Sequence, residues 1–331
     1  MQSTKWSREV LVSGFVLALA VFAPAFPALR AQNFDTNDSW LKIALTNNVA
    51  VFTIHDPATN ANGVFDLFFK TNLADPQGWT WLLRCPLGQT NLVISNLPPG
   101  RGFFRLGVTN AIRLGFTNYS LPAEDDAPSA TATLPFTVNF FGAAYSNVWV
   151  NNNGNVTLDG ALSGYTPTPL NQLGQPGITN IIAPYWADVD TQGAGSDVVE
   201  YGTNMVDGHD AFGVDWVNVG YYARHADKLL SCQLVIIDRS DIAPGDFDME
   251  FNYFKVQWET GDASGGVDGL GGFSARAGYA SVSGSTFELC GSGVPGSFLD
   301  TNVATGLIYH NLNSSVPGRY IFFFRNGQPL P

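Results

Sequence analysis

The stretch Asp246-Phe247-Asp248-Met249-Glu250-Phe251-Asn252-Tyr253-Phe254-Lys255-Val256-Gln257-Trp258 decides the fold class. Up to Tyr253 it alternates strictly, with Phe247, Met249, Phe251 and Tyr253 on one face and Asp248, Glu250 and Asn252 on the other. Side chains of a strand point alternately to its two faces, so this segment reads as a strand with an apolar side and a side turned to water. A wet face requires an antiparallel sheet, because parallel sheets are covered on both sides. After Tyr253 the parity flips and Phe254, Val256 and Trp258 become the apolar positions. A β-bulge near residues 253–254 accounts for the flip.

The same pattern extends outward. Val148-Trp149-Val150 and Val156-Thr157-Leu158 flank Asn151-Asn152-Asn153-Gly154-Asn155, and Asn-Gly between β-prone runs is a strong hairpin signal. Nearer the N-terminus, Val49–Ile54, Val64–Lys70, Trp79–Arg84, Thr90–Ile94 and Gly102–Val108 are β-branched and aromatic runs bounded by turn residues. Helical periodicity is absent. The expectation is an all-β protein: a small N-terminal β module over residues 33–112, then an antiparallel β-sandwich over 113–331. The first unit is small for a core of its own.

Composition narrows the function. Lys and Arg number 16 against 28 Asp and Glu, a net charge of -12, which argues against a phosphate-binding surface and nucleic acid as partner. Between Arg113 and Arg224 there is no Lys or Arg but there are eleven carboxylates: Glu124, Asp125, Asp126, Asp159, Asp188, Asp190, Asp197, Glu200, Asp207, Asp210 and Asp215. Such a run reads either as a solvated acidic face or as a site, and it favours cations or basic partners. At the N-terminus, Lys5 and Arg8 precede an apolar run of 14 residues, Val10 to Ala23. That is short of the roughly 20 residues of a spanning helix. With Ala23-Pro24-Ala25 and Leu29-Arg30-Ala31 as rival cleavage sites, residues 1–31 read as a secretory signal peptide. No membrane span is expected, and the product is secreted, extracellular or associated with the cell surface.

An ordered set of motifs then carries a resemblance. Ala183-Pro184-Tyr185-Trp186-Ala187-Asp188-Val189-Asp190-Thr191, Val214-Asp215-Trp216-Val217-Asn218-Val219, Phe251-Asn252-Tyr253, Gln257-Trp258, Gly261-Asp262-Ala263-Ser264-Gly265-Gly266, Ala277-Gly278-Tyr279 and Pro317-Gly318-Arg319-Tyr320-Ile321-Phe322 follow one another. In this order they resemble the nidogen-like extracellular (NIDO) domain over roughly 115–327. Asp238–Phe251 and Gly318–Gly327 look most like its bacterial secreted members. The resemblance implies an extracellular, non-enzymatic role in cell–matrix adhesion, with a matrix protein or polysaccharide as partner. Two departures stand out: Leu230-Ser231-Cys232-Gln233, where the family usually has Phe in place of Cys232, and Leu289-Cys290-Gly291-Ser292, where it usually has Pro in place of Cys290.

Catalytic chemistry finds little support. No Ser is flanked as Gly-x-Ser-x-Gly, and the run Gly265 to Gly272 lacks dinucleotide-loop spacing. His55, His209, His225 and His310 are scattered. Glu259 beside Trp258 imitates a glycosidase carboxylate but has no recognisable partner. Cys232 reads as a small buried hydrophobe or as one end of a bridge to Cys290, which would leave Cys85 free. Tyr185, Trp186 and Trp258 either pack the core or form a sugar-stacking platform, which would make the protein lectin-like. Finally, Asp188 and Asp190, two apart at a strand end, read either as turn caps or as ligands of a calcium ion, with Thr191, Gln192 and the Gly193–Gly195 loop adding neutral oxygens.

Overall fold

In the computed structural model the chain divides between Thr109 and Asn110 into two compact units. The structure describes residues 109–172 and 180–330 and, before them, the stretches 16–20, 40–46, 49–55, 65–72, 79–86, 89, 91–94 and 102–107. Of the segment read as a leader, only Val16–Ala20 is described, as an edge strand antiparallel to Gly102–Gly107. The rest of that reading lies outside the described residues.

The first unit contains β1 (Val16–Ala20), β2 (Trp40–Thr46), β3 (Val49–His55), β4 (Phe65–Lys70), β5 (Thr80–Cys85), β6 (Asn91–Ile94) and β7 (Gly102–Gly107). They form a four-stranded sheet, β1-β7-β4-β5, and a three-stranded one, β2-β3-β6. Phe52, Leu67 and Phe104 are completely buried between them, with the rings of Phe52 and Phe104 4.9 Å apart. One charge pair is sealed inside: Arg84 grips Asp66 through Nε and Nη2, both at 2.9 Å, while the Trp81 indole and the Thr109 amide donate to the same carboxylate. With every lone-pair direction used, the pair is tolerated in the core.

The second unit runs β8 (Tyr119–Ser120), β9 (Pro128–Phe140), β10 (Ala143–Asn151), β11 (Asn155–Thr157), β12 (Ile181–Trp186), β13 (Glu200–Val206) and β14 (His209–Tyr221). It continues with β15 (His225–Asp238), β16 (Phe247–Val256), β17 (Arg276–Ala280), β18 (Thr286–Glu288), β19 (Arg319–Arg325) and β20 (Gln328–Pro329). Among the described residues these strands pair antiparallel, in a seven-stranded sheet of order β20-β19-β16-β15-β14-β13-β8 and a six-stranded sheet of order β18-β17-β12-β11-β10-β9. Short 3-10 turns at Leu170–Gln172, Asp262–Ser264 and Leu307–Tyr309 are the helical pieces among the described residues. The sheets face each other through aromatic rings: Phe140 stacks on Phe324 at 5.5 Å, and Tyr279 meets Phe322 and Phe324 edge-on. The protein is an all-β sandwich.

β16 behaves as its alternation demands, with one difference. Opposite β15, Ser231 pairs with Lys255 and Cys232 with Tyr253, so Phe254 is the extra, bulged residue. The polar face, however, is not wet. Asp248, Glu250 and Asn252 are all buried, because the segment entering the unit crosses that face and arginines from several elements close over it. Arg113 holds Glu250 at 2.7 and 2.9 Å, Arg319 bonds Asn252, and Arg239 bonds Asp248. A polar stripe matched by forked guanidinium donors packs as an interior.

The Cys232–Cys290 bridge does not form; all three cysteines are free thiols. Cys232 is completely buried on β15 in the seven-stranded sheet, cross-strand from Trp216 and Tyr253. Cys290 is exposed in the turn after β18, an edge of the other sheet. The small-hydrophobe reading describes Cys232.

Candidate metal centre

The hairpin β10–β11 builds the floor of the site. Gly154 carries a positive φ of 72°, and a β-carbon there would sit 1.7 Å from the Tyr185 carbonyl oxygen, so only glycine fits the turn. The neighbouring asparagines are buried rather than solvated. Asn152 donates its amide nitrogen to the carbonyls of Val189 (2.6 Å) and Asp125. The Asn152 backbone carbonyl accepts the Trp216 indole N–H at 2.9 Å. Asn153 accepts the Val189 amide (2.8 Å) and donates to Asp126 Oδ1 (2.9 Å). The asparagine turn thus clamps the acidic stretch around Asp125 against the chain leaving β12.

That clamp brings together carboxylates far apart in sequence. One oxygen from each of Asp125, Asp126 and Asp188 lies within 4.8 Å of the others. Asp188 is 1% exposed, and neither of its carboxylate oxygens has a hydrogen-bond partner. Asp125 Oδ1 and Asn152 Oδ1 are likewise buried and unpartnered. Burial, then Asp126, Asp125, Asp190 and Asp262, push the Asp188 carboxyl up to about 7. Burial followed by Asp126 and Asp190 pushes Asp125 up to about 6. The glycine-rich loop closes the site from another side: a β-carbon on Gly261 would lie 2.3 Å from Asp188 Oδ2, so bare backbone abuts the carboxylate.

The Asp188/Asp190 pair divides between its two readings. Asp190 caps turns, accepting the Gln192 amide and the Arg224 amide at 2.8 Å each. Asp188 faces Asp125 and Asp126 instead. The neutral donors expected nearby are otherwise engaged: Thr191 locks the backbone of Glu124, and Gln192 Oε1 accepts from Arg224. Sequence reasoning missed Asp125, Asp126 and Asn152 as members of one cluster. The adjacent aspartates and the asparagine run were visible, but nothing local to either stretch says that they meet.

Other candidates resolve as structure. Tyr185 and Trp258 are fully buried and Trp186 nearly so. Each spends its polar atom on a backbone carbonyl: Tyr185 on Trp258, Trp258 on Val219 and Trp186 on Gly164. They are core residues, not a sugar platform. Glu259 is also buried, with its oxygens taken by the amides of Gly271 (3.0 Å) and Gly296 (2.6 Å). It ties the glycine-rich loop down. His225 stacks on Tyr221 at 4.8 Å.

The family profile of the nidogen-like domain matches residues 146–326, and the chain belongs to the nidogen-like domain family. Among characterised proteins it is similar to alpha-tectorin of mouse (31% identical over 225 residues), of human (30% over 225) and of chicken (28% over 222). These matches cover 61% of this chain but 10% of each relative, so the chain spans about a tenth of their length. No solved structure matches. Among the described residues, no helix is long and apolar enough to cross a membrane.

Proposed function

We propose that the protein is an exported, non-enzymatic adhesion module that binds an extracellular-matrix protein through its glycine-rich loop. The observation that carries this reading is the exposure of Val267 (71%), Phe273 (63%) and Leu270 (40%) on one short loop. Apolar residues gathered on a surface loop mark an interaction site more often than scattered ones do. The loop is preformed: Val267 and Leu270 exchange backbone hydrogen bonds at 2.9 and 3.1 Å, Phe273 bonds back to Ser264, and Glu259 holds Gly271. Binding therefore orders few groups. Asp262 and Asp268 are exposed on the same loop, so the partner that fits is a segment mixing apolar and basic residues. Family membership supports an extracellular, matrix-type setting.

The test is binding of the purified chain to immobilised extracellular-matrix proteins, with a glycan array in parallel. Retention on a matrix protein that drops at least tenfold in a Val267→Ser/Phe273→Ser double variant of unchanged melting temperature supports the reading. Retention on glycans alone, or retention indifferent to the loop, overturns it.

A further inference from the structure

We propose that Asp125, Asp126, Asp188 and Asn152 form a calcium-binding site that pins the acidic segment before β9 to the end of β12. Acidic side chains gather on many protein surfaces without an ion. Here a separate observation points to a ligand: buried oxygen atoms in and beside the cluster have nothing to bond. Asp188, 1% exposed, leaves both carboxylate oxygens unpartnered. Asn152, also 1% exposed, leaves Oδ1 unpartnered. Its orientation is not arbitrary, since the amide nitrogen must face the Val189 and Asp125 carbonyls, which fixes the oxygen as the free end. Asp125 Oδ1 is the further buried oxygen with no donor.

Charge makes the same demand. An isolated carboxylate withdrawn from water costs several kcal/mol unless it is paired. Asp188 has two further carboxylates within 4.8 Å. Arg224, the cation that acts on Asp125, gives its Nε to Gln192. A divalent ion would neutralise the cluster and fill the vacant coordination of all these oxygens at once. The donors are carboxylates and a carboxamide, with no sulfur and no imidazole, which suits a hard cation rather than zinc. Calcium accepts irregular sets of about six to eight oxygens, with waters completing the shell at the half-buried Asp125 and Asp126. Asp126 Oδ1 is already held by Asn153, so this carboxylate is positioned before an ion arrives.

The experiment uses the purified chain stripped with chelator. Titration calorimetry with calcium chloride should show one site. The melting temperature should rise by roughly 5–10 °C at calcium a hundredfold above its Kd, and fall back with chelator. Trp216, hydrogen-bonded to Asn152, lies beside the site, so bound terbium should luminesce on tryptophan excitation and calcium should quench that signal by displacement. Asp188→Asn and Asp125→Asn should each lose the calcium response while melting no lower than the stripped parent, because each removes repulsion. Asp190→Asn should melt lower yet keep the response, since Asp190 only caps turns. A parent chain without calcium heat or thermal shift overturns the site, and so does an Asp188→Asn variant that responds like the parent. None of these readouts involves a matrix partner, so the site stands or falls separately from the adhesion reading.

Discussion

The indole N–H of Trp216, on β14 inside the seven-stranded sheet, donates over 2.9 Å to the backbone carbonyl of Asn152 in the β10–β11 turn of the six-stranded sheet. Through this one bond a largely buried strand of one layer steadies the turn that floors the acidic cluster. Replacing Trp216 by Phe keeps an aromatic filler but removes the donor and leaves a small cavity. We expect a loss of about 2 kcal/mol, from an unsatisfied carbonyl and lost packing together. Urea unfolding measures it, and an unchanged midpoint would mean that the bond contributes nothing to stability.

Asp215 sits beside Trp216 in sequence, and its side chain belongs to the polar interior of the same sheet. Burial raises its carboxyl from 3.8 to about 6, against the lowering effect of the Gln233 amide that donates to it at 2.7 Å. Between about pH 4 and 6 the folded chain therefore holds a proton that the unfolded chain has released, so this group's contribution to stability falls as pH rises through that window. Asp215→Asn keeps an oxygen for Gln233 and never ionises. It should match the parent near pH 3 and exceed it by about 2–3 kcal/mol at pH 8. Thermal unfolding at the two pH values decides, and equal curves at pH 8 count against the assignment.

Glu250 carries the opposite sign. Burial alone would raise its carboxyl, but the Arg113 hydrogen bonds and the charges of Arg319 and Arg113 hold it below the usual range. Its contribution is in place above the ordinary carboxylate pKa and is lost as pH falls through the depressed value. Arg113→Ala strips the bidentate partner from a buried charge, and we expect a loss of about 3 kcal/mol at pH 7 that shrinks in acid. Chemical denaturation at neutral and acid pH checks both parts; a loss independent of pH would place the effect in packing rather than in the pair.

The three cysteines give a simple chemical readout. Cys290 is exposed, whereas Cys85 and Cys232 are buried, and burial raises the Cys85 thiol to about 12. A thiol reagent at pH 8 should label Cys290 rapidly in the native chain and the other two only after unfolding. Mass spectrometry of the unreduced, denatured chain should then count three labels. A count of one would reveal a disulfide after all.

Much of this architecture is written locally. The alternation from Phe247 to Tyr253, the parity flip at Phe254 and the Asn153-Gly154 turn encode strand, bulge and hairpin in adjacent residues, because side-chain period and turn chemistry depend only on the nearest neighbours along the chain. Composition and the ordered aromatic motifs extend that to the two-sheet class and the family. What lies on each face is a different matter. Asp248, Glu250 and Asn252 look like a solvated edge until Arg113, Arg239 and Arg319 arrive from distant parts of the chain to cover them. Tyr185, Trp186 and Trp258 are equally suited to a sugar or a core until the second sheet closes on them. The acidic cluster shows the same limit most sharply. Asp188 and Asp190 are equivalent in sequence, yet backbone amides reach Asp190 and none reach Asp188. Asp125 and Asp126 join Asp188 across sixty-odd residues because Asn152 clamps the two segments together. Residue type and spacing determine which groups a strand can present; only the packed structure determines which of them lose water and which find a partner.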